Sequence, residues 1–212
     1  MNLYSFMSVG YDLLDKIWFS DKGENPRAVI ERIIPNEKCT VLDMCCGTFS
    51  NGMPIAEKNP NNRVIGLDRS QAMLREAKGK IRKAGLKNVK LLCRDATQTG
   101  LKEASFDYII MGLVLHECSA ELWKKLLGEA HRLLKKEGKL IVLEWDRQKK
   151  KSRKMKYAPL YAMEVLVNPK YFKTFYYSNK RKFFGKYGFK MVERHECNYT
   201  SVMVMKKEEQ MK

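Results

Sequence analysis

From residue 39 onward, short apolar runs alternate with segments of helical periodicity, and no other feature of the chain restricts its fold as much. CTVLDM reads as a first strand, and Asn51 to Glu57 opens a helix with Pro54 tolerable only in its first turn. NRVIGLD is a second strand. Ser70 then stands as a helix N-cap ahead of a stripe at Met73, Ala77, Ile81 and Ala84, spaced about one helical turn. VKLLCRD, FDYIIMGLVL and KLIVLEW follow as third, fourth and fifth strands, the last two bridged by a helix over ELWKKLLGEAHRLL that ends at the turn KKEGK. Strands covered on both faces read as continuous apolar runs because neither face meets water, and parallel neighbours need helical crossovers to return the chain. The pattern predicts a doubly wound α/β sheet. Further on, KRKFFGKYGF predicts a short helix ending at Gly188, and FKMVERHEC and TSVMVMKK predict a hairpin. That makes seven strands, the final one antiparallel.

The 212 residues suffice for one domain with a substantial core, which excludes a disulfide-stapled miniature, a disordered tail and a collagen-like fibre. Residues 1–37 precede the first strand and alternate apolar and polar at helical spacing, so they are expected as a helical lid over the sheet edge. No apolar run approaches the roughly 20 residues that span a bilayer. The N-terminus lacks a basic leader and carries Asp12 and Asp15, so it does not read as a signal peptide. Six cysteines sit mostly inside strand-like apolar segments, and the adjacent pair Cys45 and Cys46 would make a strained bridge. Reduced thiols and a cytoplasmic protein are expected.

The charge is concentrated. Residues 147–190 hold 14 Lys and Arg against one acid, Glu164, and so carry 13 of the 17 net positive charges. The same stretch holds eleven aromatics, too many for a disordered basic tail, and it is too basic for a simple core layer. It is the expected place of partner or substrate recognition.

In an open parallel sheet, ligands bind beyond the carboxyl ends of the strands, where the first strand turns into its helix. The first strand here ends Asp43-Met44-Cys45-Cys46-Gly47-Thr48-Phe49. The second ends in Asp68, 21 positions after Gly47, a separation suited to a carboxylate that accepts hydrogen bonds from ribose hydroxyls. The third ends in Asp95-Ala96, placed to meet an adenine edge. Three carboxylates and a turn with one glycine would stabilise a pyrophosphate poorly. They favour a ligand with a cationic centre and an amino group.

VLDMCCGTF resembles motif I of the class I S-adenosylmethionine (SAM)-dependent methyltransferases, commonly VLDxGCGTG. VIGLDRSQAMLREAK is similar to that superfamily's second-strand motif, CRDAT to its third, SFDYIIMGLVLHE to its fourth and LLKKEGKLIVLEWD to its fifth. Tyr11-Asp12-Leu13-Leu14 resembles the YDLLN segment of the ubiquinone/menaquinone-biosynthesis C-methyltransferases and their lipid-modifying relatives. The resemblance implies a Rossmann-like domain with SAM as cofactor. It implies that Asp43 and the turn Cys45, Cys46, Gly47 and Thr48 lie against the methionine part, and that Asp68 holds the ribose hydroxyls. Arg69 and Met73 would flank the adenine, Asp95 and Ala96 would meet its amino edge, Met111 would join the cofactor residues, and Tyr11 would close over the site from the lid. Cys45 stands where the first glycine is usual, a variation known among the quinone-type relatives, and Phe49 stands where the last is. A bulky residue 49 is expected to crowd the cofactor unless its backbone has φ < 0.

His116 follows the fourth strand, where an imidazole near neutral pKa can act as a general base or merely cap the loop. His-Glu-Cys occurs at 116–118 and again at 195–197. In the family's usual strand order the two lie about three strands, roughly 14 Å, apart, too far to share a metal, and none is expected. Residues 147–187 are expected as a basic, aromatic insertion on the substrate side, with Tyr157 and Tyr161 lining the acceptor pocket. Its lysines can meet anionic lipid headgroups, at about 1 kcal/mol each, or RNA phosphates. The favoured acceptor is small or lipid-like, a quinone precursor or a lipid amine. An RNA methyltransferase is the alternative, although Met111-Gly112-Leu113-Val114 replaces the N/D-P-P-Y/F tetrapeptide of base-amine methylation. A third reading is a non-catalytic SAM- or nucleic-acid-binding protein in which Phe49 blocks turnover.

Overall fold

The structure, a computed structural model, describes residues 25–147 and 151–208. The elements run α1 (Pro26–Ile33), β1 (Thr40–Met44), α2 (Gly52–Lys58), β2 (Arg63–Asp68), α3 (Gln71–Lys83), β3 (Val89–Cys93), β4 (Phe106–Gly112), a 3-10 turn (Leu115–Glu117), α4 (Ala120–Leu133) and β5 (Leu134–Trp145). Then come α5 (Lys151–Val167), α6 (Pro169–Tyr176), α7 (Lys180–Gly185), β6 (Phe189–Glu196) and β7 (Thr200–Lys207). Side chains fix several helix starts by satisfying donors the helix itself leaves unpaired. Asn25 accepts from the Arg27 N–H with Pro26 next to it, Ser70 from Met73, Ser119 from Leu122 and Asn179 from Lys182.

The seven strands pair in the order β3-β2-β1-β4-β5-β7-β6, all parallel except β7, which is antiparallel to both neighbours. Alternate residues of the central strands go to opposite faces. Leu42, Ile109, Met111, Leu140 and Val142 join the core under α4, whereas Val41, Ile110, Ile141 and Leu143 join the core that includes residues of α1, α2 and α3. Both faces are dry, which is why these strands read as unbroken apolar runs. The strand order reverses between β1 and β4, and the crevice for a ligand opens there.

Besides ending β3 at Cys93 and α7 at Gly185, short of the expected Asp95 and Gly188, the structure differs from the sequence reading at three places. The fourth strand stops at Gly112 rather than Leu115, because Leu113 takes φ 55 and turns the chain into the 3-10 turn. KKEGK is not a free turn: β5 begins at Leu134, pairs with Phe106, and shifts register before Lys139 meets Tyr108. Gly138 sits in that irregularity, where a Cβ would lie 2.9 Å from the Phe106 carbonyl. Residues 151–185, given no elements up to Lys180, form three helices. Of the expected N-terminal lid, α1 packs on α2 and β7, while residues 1–24, Tyr11 among them, lie outside the described residues. All six cysteines are free thiols. Among the described residues no helix is long and apolar enough to cross a membrane.

Candidate active site

A cavity of about 640 Å³ opens beyond the carboxyl ends of β1, β2 and β4, well within the size range of small-molecule sites. Its floor is the turn after β1. Cys45, Gly47 and Phe49 have φ of 62, 52 and 66, so every second residue is left-handed and the backbone coils tightly. These are the positions where VLDxGCGTG has glycine. In Cys45 and Phe49 the chain bears the strain, of order 1 kcal/mol each, that glycine avoids. A Cβ at Gly47 would meet nothing within 4 Å, so open space lies in front of it.

Asp68, at the tip of β2, ties the turn to α3: Oδ2 accepts from the Gly47 N–H at 2.9 Å and Oδ1 from the Ser70 N–H at 2.8 Å. Asp43 lies behind the turn. Fully buried, it accepts from the Gly52 N–H at 2.9 Å and so clamps the start of α2; burial raises its pKa to about 7 against the opposing pull of that N–H. Asp95 is exposed, and the Thr97 N–H and hydroxyl, each at 2.7 Å from Oδ1, hold its carboxyl below the usual range.

Of the residues singled out from the sequence, Cys45, Cys46, Gly47, Thr48, Asp68, Arg69, Met73, Asp95 and Ala96 line the cavity. Asp43 and Met111 do not. Met111 is fully buried in the core, and the wall is formed by its successors Gly112 and Leu113. Phe49 corrects a second expectation. Its φ is positive, yet its ring turns away from the cavity into the core, against Gly52 and Gly66, where a Cβ on Gly66 would come within 2.8 Å of the ring. The cavity is not crowded, and the motive for a blocked, non-catalytic protein falls away. Sequence reasoning missed Arg27, Asn51, Thr97, Glu117 and the apolar wall of Cys118, Leu122 and Leu126. The i, i+4 spacing of Leu122 and Leu126 puts both on one face of α4, the one signal that could have found them.

His116 is not in the cavity lining. It is 1% exposed, with Nδ1 2.8 Å from Glu144 Oε2 and Nε2 3.5 Å from Glu164 Oε2 of α5. Burial alone would pull its pKa down, but the Glu144 carboxylate and then Glu164 outweigh that and push it up to about 10. The general-base reading gives way: at neutral pH the ring is a buried imidazolium with no proton-accepting lone pair. Glu144, itself fully buried, also accepts from the backbone N–H groups of Val114, Leu115, His116 and Trp145. The Asn168 amide adds a bond to the Glu117 carbonyl at 3.1 Å. Together they fasten the loop after β4 to β5 and to α5.

A family model described as a methyltransferase domain matches residues 35–187. The chain belongs to that family. It is 35% identical over 117 residues to a demethylmenaquinone methyltransferase of Geobacillus kaustophilus, a match covering 55% of this chain and 49% of the relative. The chain therefore matches about half the length of such curated relatives. A SAM-dependent methyltransferase from Aquifex aeolicus superposes with a TM-score of 0.70 at 21% identity, covering 93% of this chain and 97% of that one. The 1,6-didemethyltoxoflavin-N1-methyltransferase of Burkholderia thailandensis, solved with its didemethyltoxoflavin and S-adenosylhomocysteine, superposes at 0.65 with 15% identity, covering 98% and 88%. These likenesses establish the class I fold.

The residues present in this chain fit the family's cofactor, SAM. Asn51 Oδ1, in a wall residue, is buried and has no donor among the described residues, and Asp68 and Asp95 add carboxylates beside the turn. Tyr157 and Tyr161, expected on the acceptor side, do not line this cavity. Tyr157 is buried among Trp145, Tyr161, Tyr176 and Tyr199, and the Tyr161 hydroxyl meets that of Tyr177 at 3.0 Å. They are the packing of the α5–α6 cap. His116 and His195 stand on the fourth strand's loop and on β6, three places apart in the sheet, and among the described residues no His, Cys, Asp and Glu group could hold a metal.

Proposed function

We propose that this domain transfers a methyl group from SAM to a small, lipid-like acceptor of the quinol class, with the cofactor at the tips of β1, β2 and β3 and the acceptor against the loop after β4 and α4. One observation carries the reading: the cavity has two unlike walls. Asp68, Asp95, Asn51 and the Gly47 turn make a polar side, and Leu113, Val114, Cys118, Leu122 and Leu126 make an apolar one. An apolar wall desolvates a flat hydrocarbon ring and excludes water. A nucleobase is read through paired donors and acceptors, which this side does not supply. The relative from Geobacillus kaustophilus named for demethylmenaquinone supports the same acceptor class.

SAM, when bound, supplies an electrophilic methyl carried on a sulfonium. The chain's own work is then placement: Asp68 accepts from ribose hydroxyls, Asp95 and Thr97 meet the adenine side, and Asn51 accepts from an ammonium. A phenolic acceptor must also lose a proton. Glu117, the one carboxylate the β4 side contributes to the cavity lining, takes it; its carboxylate is one-third exposed and 3.9 Å from the His116 imidazolium. The imidazolium positions Glu117 rather than reacting. The test is methyl transfer from radiolabelled SAM to a short-chain demethylmenaquinol. Labelled product is expected, with Glu117→Gln lowering kcat about 100-fold while SAM affinity stays constant. Transfer to bulk RNA and none to the quinol would overturn the assignment.

A further inference from the structure

Helix α5 is apolar on two opposite sides. One side faces inward: Tyr157 and Leu160 are buried in the aromatic cap, and Glu164 reaches His116. The other side presents Met155, Ala158, Pro159, Ala162, Met163, Leu166 and Val167, all exposed, at spacings of three and four residues that align them on one stripe. Leu166 is 85% and Met155 68% exposed, values a water-soluble surface gives to scattered side chains and not to a continuous helix face. None of the seven is charged. The stripe ends at Asn168, beyond which α6 turns Lys170 and Lys173 to solvent, and Arg147 lies over the exposed Tyr177 ring at 5.3 Å from its centroid.

We propose that this outer face of α5, with the lysines of α6, is a docking surface for an anionic lipid bilayer, on which the helix lies in the interfacial plane. Charge selects this occupant. Residues 147–190 carry a net charge of +13, and their one acid, Glu164, is turned inward to the imidazolium. A second copy of the chain on the same face would bring two such cationic regions together, whereas an anionic headgroup layer neutralises them at about fivefold in affinity per lysine. The stripe from Met155 to Val167 is about 20 Å long, suited to lying along a membrane surface with apolar side chains in the acyl boundary. The docked face and the cavity share the carboxyl edge of the sheet, since the cap beneath α5 packs on Trp145 at the tip of β5 and on Leu113 of the cavity wall. The proposal is independent of the acceptor's identity, because docking needs neither SAM nor acceptor.

The test is co-sedimentation of the full chain with vesicles of phosphatidylcholine alone and with about one-third phosphatidylglycerol. Binding to the anionic vesicles should exceed that to the neutral ones at least about tenfold, and weaken with added salt. The double substitution Met163→Asp and Leu166→Asp, both at exposed positions, should lower it about tenfold or more with the melting temperature unchanged. Lys170→Glu with Lys173→Glu should also lower it. No preference for anionic vesicles would overturn the proposal, as would full binding by the Asp variant. So would a lipid-free dimer that the Asp variant converts to monomers, which would make the face an interface between copies.

Discussion

The cavity edge and the α5–α7 cap sit at the same end of one sheet and are held together by different physics. The edge is local. Seven consecutive residues, Cys45 to Asn51, make its turn, and its fastenings are backbone N–H groups donated to the carboxylates of Asp43 and Asp68. The cap is assembled from afar. Glu144 of β5 gathers four backbone N–H groups and the His116 ring, Glu164 closes on that ring from α5, and rings of Trp145, Tyr157, Phe172, Tyr176 and Tyr199 stack around them. An edge built this way is fixed by groups close in sequence to its turn, whereas a cap built around a buried ion cluster stands or falls as a unit.

The largest effect should come from breaking the cap. Glu144→Ala strands a buried imidazolium and four N–H groups, and should cost about 3–5 kcal/mol in denaturant unfolding while leaving the Cys45 turn intact. The wild-type advantage should depend on pH. With the His116 pKa raised from 6.5 to about 10, its contribution is fully present below pH 6.5 and is lost as pH rises toward 10, so the gap between the two proteins narrows over that interval.

Next in size is Phe49→Ala at the edge. It removes a fully buried ring from between Gly52 and Gly66 and should cost about 3 kcal/mol, with the affinity for S-adenosylhomocysteine nearly unchanged because the ring does not face the cavity. A large affinity loss with full stability would mean that the edge is not organised as described. Last comes Asp43→Asn, whose effect is a change of pH slope. The Asp43 pKa is raised from 3.8 to about 7, so the folded state holds the extra proton and wild-type stability should fall as pH climbs from 4 to 7, by at most about 1.4 kcal/mol per unit. The Asn variant, still able to accept from Gly52, should lose that slope in pH-dependent thermal melts.

The same contrast explains what the sequence could convey. The parallel sheet was readable because each strand is dry on both faces, and the antiparallel ending because Asn198 and Tyr199 break two apolar runs. Nine of the cavity residues were readable because the edge is local: Asp68 ends β2 and Asp95 follows β3 by two residues. His116 was misread because its partners, Glu144 and Glu164, stand 28 and 48 positions away, and only their approach turns a base into a fixed cation. Phe49 was misread because the sign of φ does not say where the ring points; the gap left by Gly52 and Gly66 does. Several basic residues of the 147–190 block are structural as well. Lys180, buried at the start of α7, donates to the carbonyls of Phe175 and Tyr176 at the end of α6, with burial pulling its pKa down to about 8.

Calorimetric titration of S-adenosylhomocysteine into the wild type and Asp68→Ala tests the whole account most directly. With two hydroxyl bonds to a carboxylate removed, affinity should fall at least about 100-fold in a variant that still unfolds cooperatively. An unchanged dissociation constant would mean that the nucleoside does not bind at the tips of β1, β2 and β3.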